Sequence, residues 1–95
     1  MNVLILSPEA EQDLVDIWVY IAEDSPVNAD HYVDKLYDTG ILLAENPGIG
    51  TERPDLMDEL QSFPVDHYIL FYRRKNDNIE MIRVLHASRD VYSLF

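Results

Sequence analysis

The residues best suited to chemistry are three arginines, a histidine and a tyrosine in the second half of the chain. Arg53, Arg83 and Arg89 carry fixed positive charge, and His86 and Tyr92 can exchange a proton. Such a set would suit a phosphodiester, whose developing negative charge cations stabilise. Sequence spacing alone does not bring the five together. An internal role is the favoured explanation for each residue taken alone: Arg83 would pair with a helix carboxylate, and His86 would be a hydrogen-bonded core residue.

Other familiar signatures of catalysis or ligand binding are missing from the sequence. It has no cysteine, no glycine-rich phosphate loop and no Gly-x-Ser-x-Gly motif. The three histidines, His31, His67 and His86, fall on three different predicted elements, which is poor spacing for a metal site. We therefore expect neither a cofactor nor a metal ion.

The strand that must position Arg83 and His86 begins at Ile79. Apolar side chains alternate along it on both faces, with Met81 and Leu85 predicted on one face and Ile82 and Val84 on the other. Strands that are apolar on both faces are typical of the centre of a sheet. Charged side chains within such a strand indicate either internal ion pairs or a binding surface at the rim of the sheet.

Two helices are predicted in the first half of the chain. Ser7-Pro8 and Ser25-Pro26 each place a capping serine before a proline at the first helical position. Apolar side chains recur at helical spacing after both sites, which favours an antiparallel helical hairpin. We expect Trp18 in the core, and we expect Gly40 to let the two backbones approach closely.

The remaining segments predict a sheet. Residues 1–6 are expected to form an opening strand, and residues 60–65 and 67–73 to form two strands that join the strand beginning at Ile79 in an antiparallel meander. Residues 47–59, rich in glycine and proline, are predicted to be a loop. The predicted fold class is therefore α+β, with an N-terminal strand, an antiparallel helical hairpin and a three-stranded meander in a single domain, residues 1–95.

Charge and hydropathy narrow the classes of function. The net charge is −11, and residues 1–60 hold fourteen acidic side chains against two basic ones. Proteins that bind nucleic acid on their own usually carry a basic surplus, so the balance argues against that class. The apolar runs are far shorter than a membrane span, and no basic segment precedes a signal-like stretch. We expect a cytoplasmic protein without membrane contact.

Short sequence blocks, in a fixed order along nearly the whole chain, suggest a relationship to a known family. The blocks are Leu6-Ser7-Pro8-Glu9-Ala10, Asp13-Leu14, Ile17-Trp18-Val19-Tyr20-Ile21, Asn46-Pro47-Gly48-Ile49-Gly50, Arg53-Pro54-Asp55-Leu56, Ser62-Phe63-Pro64-Val65, Ile69-Leu70-Phe71-Tyr72, Arg83-Val84-Leu85-His86 and Arg89-Asp90. In this order they resemble the ParE toxins of the ParE/RelE superfamily, which belong to type II toxin–antitoxin systems. That family's fold, a helical hairpin against a curved antiparallel sheet, agrees with the pattern-based prediction.

The resemblance implies a toxin that binds and poisons DNA gyrase and contributes to plasmid stabilisation. A ParD-like antitoxin encoded beside it would silence it in a hetero-oligomer, and DNA would be reached only through that antitoxin. We expect an apolar antitoxin segment to dock on the sheet and hairpin, its acidic side chains meeting arginines. The candidate partner-binding residues are Arg73, Arg83, His86, Arg89 and Tyr92.

Two alternatives follow from the same superfamily. RelE-type members cut messenger RNA on the ribosome, and for that activity the candidate catalytic residues are Arg53, Arg83, His86 and Tyr92. However, Ser88 stands where those nucleases commonly have arginine, and their lysine cluster is missing, which weakens this hypothesis. Gln61 and the Ala87-Ser88 pair also replace more basic residues of the family. A member that binds its antitoxin without being toxic is therefore the third hypothesis.

Overall fold

The helices and strands follow the predicted order, so the α+β prediction is confirmed. The computed structural model describes residues 2–95. Its elements are β1 (Leu4–Leu6), α1 (Pro8–Ala22), α2 (Pro26–Glu45), a 3₁₀ helix (Pro47–Ile49), β2 (Thr51–Glu52), β3 (Gln61–Val65), β4 (Tyr68–Lys75), β5 (Asn78–His86) and a second 3₁₀ helix (Val91–Leu94). Both predicted serine caps form, with each Oγ accepting a backbone N–H three residues later.

The sheet contains one strand that the sequence did not predict. Its order is β1-β5-β4-β3-β2, with β1 parallel to β5 and all other neighbours antiparallel. The segment predicted as a loop, residues 47–59, supplies the first 3₁₀ helix and the two residues of β2. Such a short strand gives no detectable alternation of apolar and polar residues, which explains why pattern analysis missed it.

The prediction of which β5 side chains share a face is wrong, because the strand contains a β-bulge. Its pairing with β4 skips Ile82, which adds one residue and breaks the alternation of side chains. Met81 and Val84 therefore share the core beneath the helices, whereas Ile82 and Leu85 pack on the opposite face. A bulge leaves the composition of a strand unchanged, so the sequence pattern did not reveal it.

Both faces of the sheet are covered, but by different parts of the chain. The helical hairpin packs on one face, as predicted, over a cluster that includes the fully buried Tyr72 and Leu43. The opposite face carries a smaller cluster around Phe71. The loop before β3 and the C-terminal residues cover this second cluster with Leu56, Met57, Val91, Leu94 and Phe95.

Two predictions about the hairpin are wrong in detail. Trp18 keeps 37% of its surface exposed, and its Nε1 donates to Asp30 Oδ1 at 2.8 Å, so the indole bridges the helices at the surface instead of entering the core. Gly40 faces the sheet: a Cβ there would lie 2.9 Å from Leu4 Cδ2 and 3.2 Å from Met81 Cε. It therefore lets α2 approach the sheet, not α1.

No helix within residues 2–95 has the length and apolar character needed to cross a membrane.

We expect Gly50→Ala to destabilise the fold. The buried Tyr72 ring lies against Gly50, where a Cβ would come within 2.8 Å of Tyr72 Cζ, and the Tyr72 hydroxyl donates to the Pro47 carbonyl at 2.9 Å. Overpacking of this kind should lower the free energy of unfolding by about 1–3 kcal/mol, measured by urea denaturation. Gly48→Ala is the control, because its Cβ would make only an ordinary contact at 3.7 Å. Equal loss in both variants would contradict the explanation.

Candidate functional site

Arg83 is held by a carboxylate of the first helix. Its Nε and Nη2 donate to the two oxygens of Asp13 at 2.8 and 2.9 Å, and the Val84 N–H donates to the same carboxylate at 2.9 Å. Only 19% of the Arg83 side chain and 11% of the Asp13 side chain are exposed. The Asp13 hydrogen bonds raise the pKa of Arg83 above its ordinary value. The sequence left two explanations for Arg83, an internal ion pair or a binding surface. The structure contains the internal ion pair.

Ser7 explains why Asp13 reaches this position. Its N–H donates to the Met81 carbonyl at 3.0 Å, and its Oγ donates to the Ile82 carbonyl at 2.7 Å while accepting the Ala10 N–H. These bonds fix the start of α1 beside the bulge of β5. The pairing of β1 with β5 ends at Met81, so the next turn of α1 brings Asp13 to an edge of β5 that no strand covers.

Arg53 and Tyr92 meet through a residue that sequence reasoning did not identify. Arg53 donates from Nε and Nη2 to Asp55 at 3.2 and 3.1 Å, and the Tyr92 hydroxyl donates to Asp55 Oδ2 at 3.0 Å. The hydrogen bonds from Arg53, and next from Tyr92, hold the pKa of Asp55 below its ordinary value. The cluster ties the C-terminal 3₁₀ helix to the loop before β3. Asp55 belongs to one of the sequence blocks that resemble the ParE family, but among eighteen acidic residues nothing in the sequence identified it as the partner of Arg53 and Tyr92.

His86 lies at the surface, so the prediction of a core histidine is wrong. Its Nδ1 accepts the Ser88 N–H at 3.1 Å and lies 2.7 Å from Ser88 Oγ. The imidazole stacks on His67 with ring centroids 6.1 Å apart, and it meets the Tyr68 ring edge-on at 5.2 Å. The Nδ1 hydrogen bond leaves Nε2 as the ring nitrogen available to a partner.

An open groove of about 800 Å³ lies between the helices and the ends of β4 and β5. We call it the helix–sheet groove. Two of the predicted partner-binding residues, His86 and Arg89, line it. The other lining residues are Asp13, Asp16, Ile17, Tyr20, Ile21, Tyr32, Asp66, His67, Tyr68, Val84, Leu85 and Ser88.

The remaining predicted residues lie outside the groove. Arg73 pairs with Glu80 on the adjacent strand at 3.0 Å, near the far end of β4. Arg83 is turned to Asp13, and Tyr92 is in the cluster around Asp55. The structure therefore places the predicted partner-binding set at separate sites, and it does not assemble the four candidate catalytic residues in one pocket.

Three tyrosines, Tyr20, Tyr32 and Tyr68, line the groove, and sequence analysis did not place them there. Tyr32 and Tyr68 pack with ring centroids 5.8 Å apart, and Tyr20 is 65% exposed. Burial, with Asp66 as a further cause, raises the pKa of Tyr32 to about 12, and its hydroxyl donates to the Val65 carbonyl at 3.3 Å. Tyr32 fits the apolar periodicity of its helix, so the sequence gave no reason to distinguish it from a core residue.

Comparison with known proteins gives three findings. The family model described as the ParE toxin of the type II toxin-antitoxin system parDE matches residues 4–91. Toxin ParE1 of Caulobacter vibrioides is 36% identical over 84 residues, which cover 87% of this chain and 86% of that protein. A solved structure, the chromosomal ParDE TA system from P. aeruginosa, aligns with a TM-score of 0.76 over 90% of this chain and 96% of that chain. At its 20% identity, this likeness shows the fold alone.

We expect Asp13→Ala to be strongly destabilising. It leaves a largely buried guanidinium and the Val84 N–H without their partner, which should lower the free energy of unfolding by about 2–4 kcal/mol. Urea denaturation measures the change. Asp16→Ala is the matched control on the same helix, because Asp16 is exposed and, among residues 2–95, its side chain accepts a hydrogen bond only from Gln12. Equal stability of the two variants would contradict the role assigned to Asp13.

The cluster around Asp55 predicts a pH dependence. Because the folded-state pKa of Asp55 is lowered, its stabilisation is present above the unfolded-state pKa and is lost as pH falls through the folded-state pKa. Tyr92→Phe should raise the pKa of Asp55 towards its ordinary value, measured by carbon-13 NMR of the carboxyl group. Tyr37→Phe, at an exposed helix position, is the control. An unchanged pKa in Tyr92→Phe would show that the hydroxyl does not act on Asp55.

Proposed function

Because this chain belongs to the ParE toxin family of type II toxin–antitoxin systems, we propose that it inhibits DNA gyrase by protein–protein binding. A ParD-type antitoxin encoded beside it neutralises this activity. The two proteins form a hetero-oligomer in the cytoplasm, and contact with DNA is made through the antitoxin. The proposed mechanism requires no cofactor, because binding alone changes the activity of the target.

The separation of the candidate catalytic side chains is the observation that most supports binding over catalysis. General acid–base chemistry needs its groups within hydrogen-bond reach of one reacting centre. Here Arg83 is engaged by Asp13, while Arg53 and Tyr92 are engaged by Asp55. Only His86 faces the helix–sheet groove. A surface that binds a protein needs no such convergence of side chains.

The helix–sheet groove is the proposed antitoxin site. It joins the two parts of the fold on which an apolar segment was expected to dock, and apolar anchors in such grooves usually dominate affinity. His86 and Arg89 line it and are proposed to contact the antitoxin. Arg73, Arg83 and Tyr92 lie outside the groove, and to pair with a partner's carboxylate they would have to exchange their internal carboxylates for it. The family model, whose description places ParE in the type II toxin-antitoxin system parDE, supports a partner of this kind.

The alternative is a ribosome-dependent endoribonuclease that uses Arg53, Arg83, His86 and Tyr92. One observation favours it: Arg53 and Tyr92 lie together on Asp55, so a cation and a hydroxyl are close in space. In that arrangement, however, both groups are hydrogen-bonded to the same carboxylate. Messenger RNA would have to displace Asp55 before either could act on a phosphate.

We expect the purified chain, freed of antitoxin and refolded, to poison gyrase. In a DNA supercoiling assay, cleaved DNA should accumulate as the toxin concentration rises, because a bound inhibitor would trap gyrase with its DNA cut. The control is the same chain saturated with its ParD-type antitoxin, which should leave supercoiling unchanged.

Two results would contradict gyrase inhibition. Unaffected supercoiling by a chain that circular dichroism shows to be folded, together with discrete cuts in translated messages mapped by primer extension, would support the endoribonuclease. Unaffected supercoiling with tight antitoxin binding, no cuts and no growth arrest would instead support a non-toxic member of the family.

A further inference from the structure

Two of the charged side chains in the helix–sheet groove already have partners within the chain. Asp13 forms an ion pair with Arg83, and Asp66 accepts a hydrogen bond from Lys35 Nζ at 2.8 Å. Apart from the two histidines, Asp16 and Arg89 are the other charged residues that line the groove, and within residues 2–95 neither forms an ion pair. Among the described residues that line the groove, Asp16 and Arg89 are therefore the acidic and the basic side chain that a partner can pair with without displacing an internal ion pair.

These two charges lie on different walls of the groove. Asp16 is on α1, where its carboxylate accepts a side-chain amide hydrogen bond from Gln12 at 2.8 Å. Arg89 is exposed and follows β5, in a turn where its N–H donates to the His86 carbonyl at 3.0 Å. A segment that binds between the walls therefore meets opposite charges on its two sides.

The apolar lining of the groove comes from both layers of the fold. Ile17 and Ile21 contribute from α1, and Val84 contributes from β5. Ile17 and Val84 are buried there, whereas Tyr20, which lines the same groove, is 65% exposed and Ile21 is partly exposed. Apolar surface that is open to solvent in this way is typical of a protein-binding site.

We propose that the helix–sheet groove selects an antitoxin segment with a basic side chain for Asp16, an acidic side chain for Arg89 and an apolar side chain between them. This rests on the proposed toxin–antitoxin function and assigns a specificity role to two residues. Because the charges are opposite, they favour one orientation of the segment: the reversed orientation would bring like charges together and weaken binding. Asp16 and Arg89 thus set both the choice and the direction of the partner.

A second copy of this chain is a poor occupant of the groove. Each copy carries a net charge of −11, and most of its acidic side chains lie in the half of the chain that contains the helices. Two such surfaces repel each other, which slows their encounter and weakens their complex. A partner that brings a basic side chain to Asp16 reduces this negative field.

The test is binding of the purified ParD-type antitoxin, encoded beside the toxin gene, to charge-reversed variants by isothermal titration calorimetry. Asp16→Lys and Arg89→Glu should each raise Kd at least about tenfold, because each brings like charges together. Glu11→Lys and Lys75→Glu are the matched controls: they make the same charge changes at exposed positions outside the groove, and they should alter Kd less than about twofold. Circular dichroism checks that all variants are folded.

The outcomes separate this proposal from the one on which it rests. Tight antitoxin binding with equal effects of groove and control variants would overturn the assigned role of Asp16 and Arg89 and leave the antitoxin proposal intact. Failure of the folded wild-type chain to bind the antitoxin would overturn the antitoxin proposal itself. Self-association abolished by Asp16→Lys, measured by light scattering, would identify a second copy as the occupant and also overturn the proposal.

Discussion

The carboxylate of Asp13 joins the two layers of this fold. It accepts hydrogen bonds from the Arg83 side chain and from the Val84 N–H, at the stretch of β5 that β1 leaves uncovered. One helix side chain therefore satisfies a backbone N–H at a strand edge and neutralises a largely buried cation. The position of α1 relative to β5, and with it one wall of the helix–sheet groove, depends on this contact.

The architecture could be predicted because its signals are local. Ser7 and Ser25 cap their helices as the sequence predicts, and three β-prone runs form the meander. The bulge at Ile82 and the two-residue β2 could not be predicted, since neither changes composition or periodicity enough to detect. The family resemblance, which rests on blocks spread along the chain, is confirmed.

The candidate site was harder to predict than the fold, because its ion pairs and hydrogen bonds join residues that are far apart in the sequence. Arg83 could have paired with many of the eighteen acidic residues, and nothing in its neighbourhood identifies Asp13, seventy residues away. The same holds for Tyr92 and Asp55. An internal ion pair or hydrogen bond makes a side chain less available to a partner. The residues that are prominent in the sequence therefore differ from those that remain available for binding. Arg89 belongs to both sets.

The parallel pairing of β1 with β5 has a consequence for how the chain is made. The Ser7 Oγ bonds to the carbonyl of Ile82, a residue 75 positions later, and Leu4 to Leu6 lie beside Ile79 to Met81. During synthesis, β1 therefore has no partner until the last strand has emerged from the ribosome. Contacts that close such long loops form late and slow folding. The pairing of β1 is therefore complete only after residue 81 has been translated.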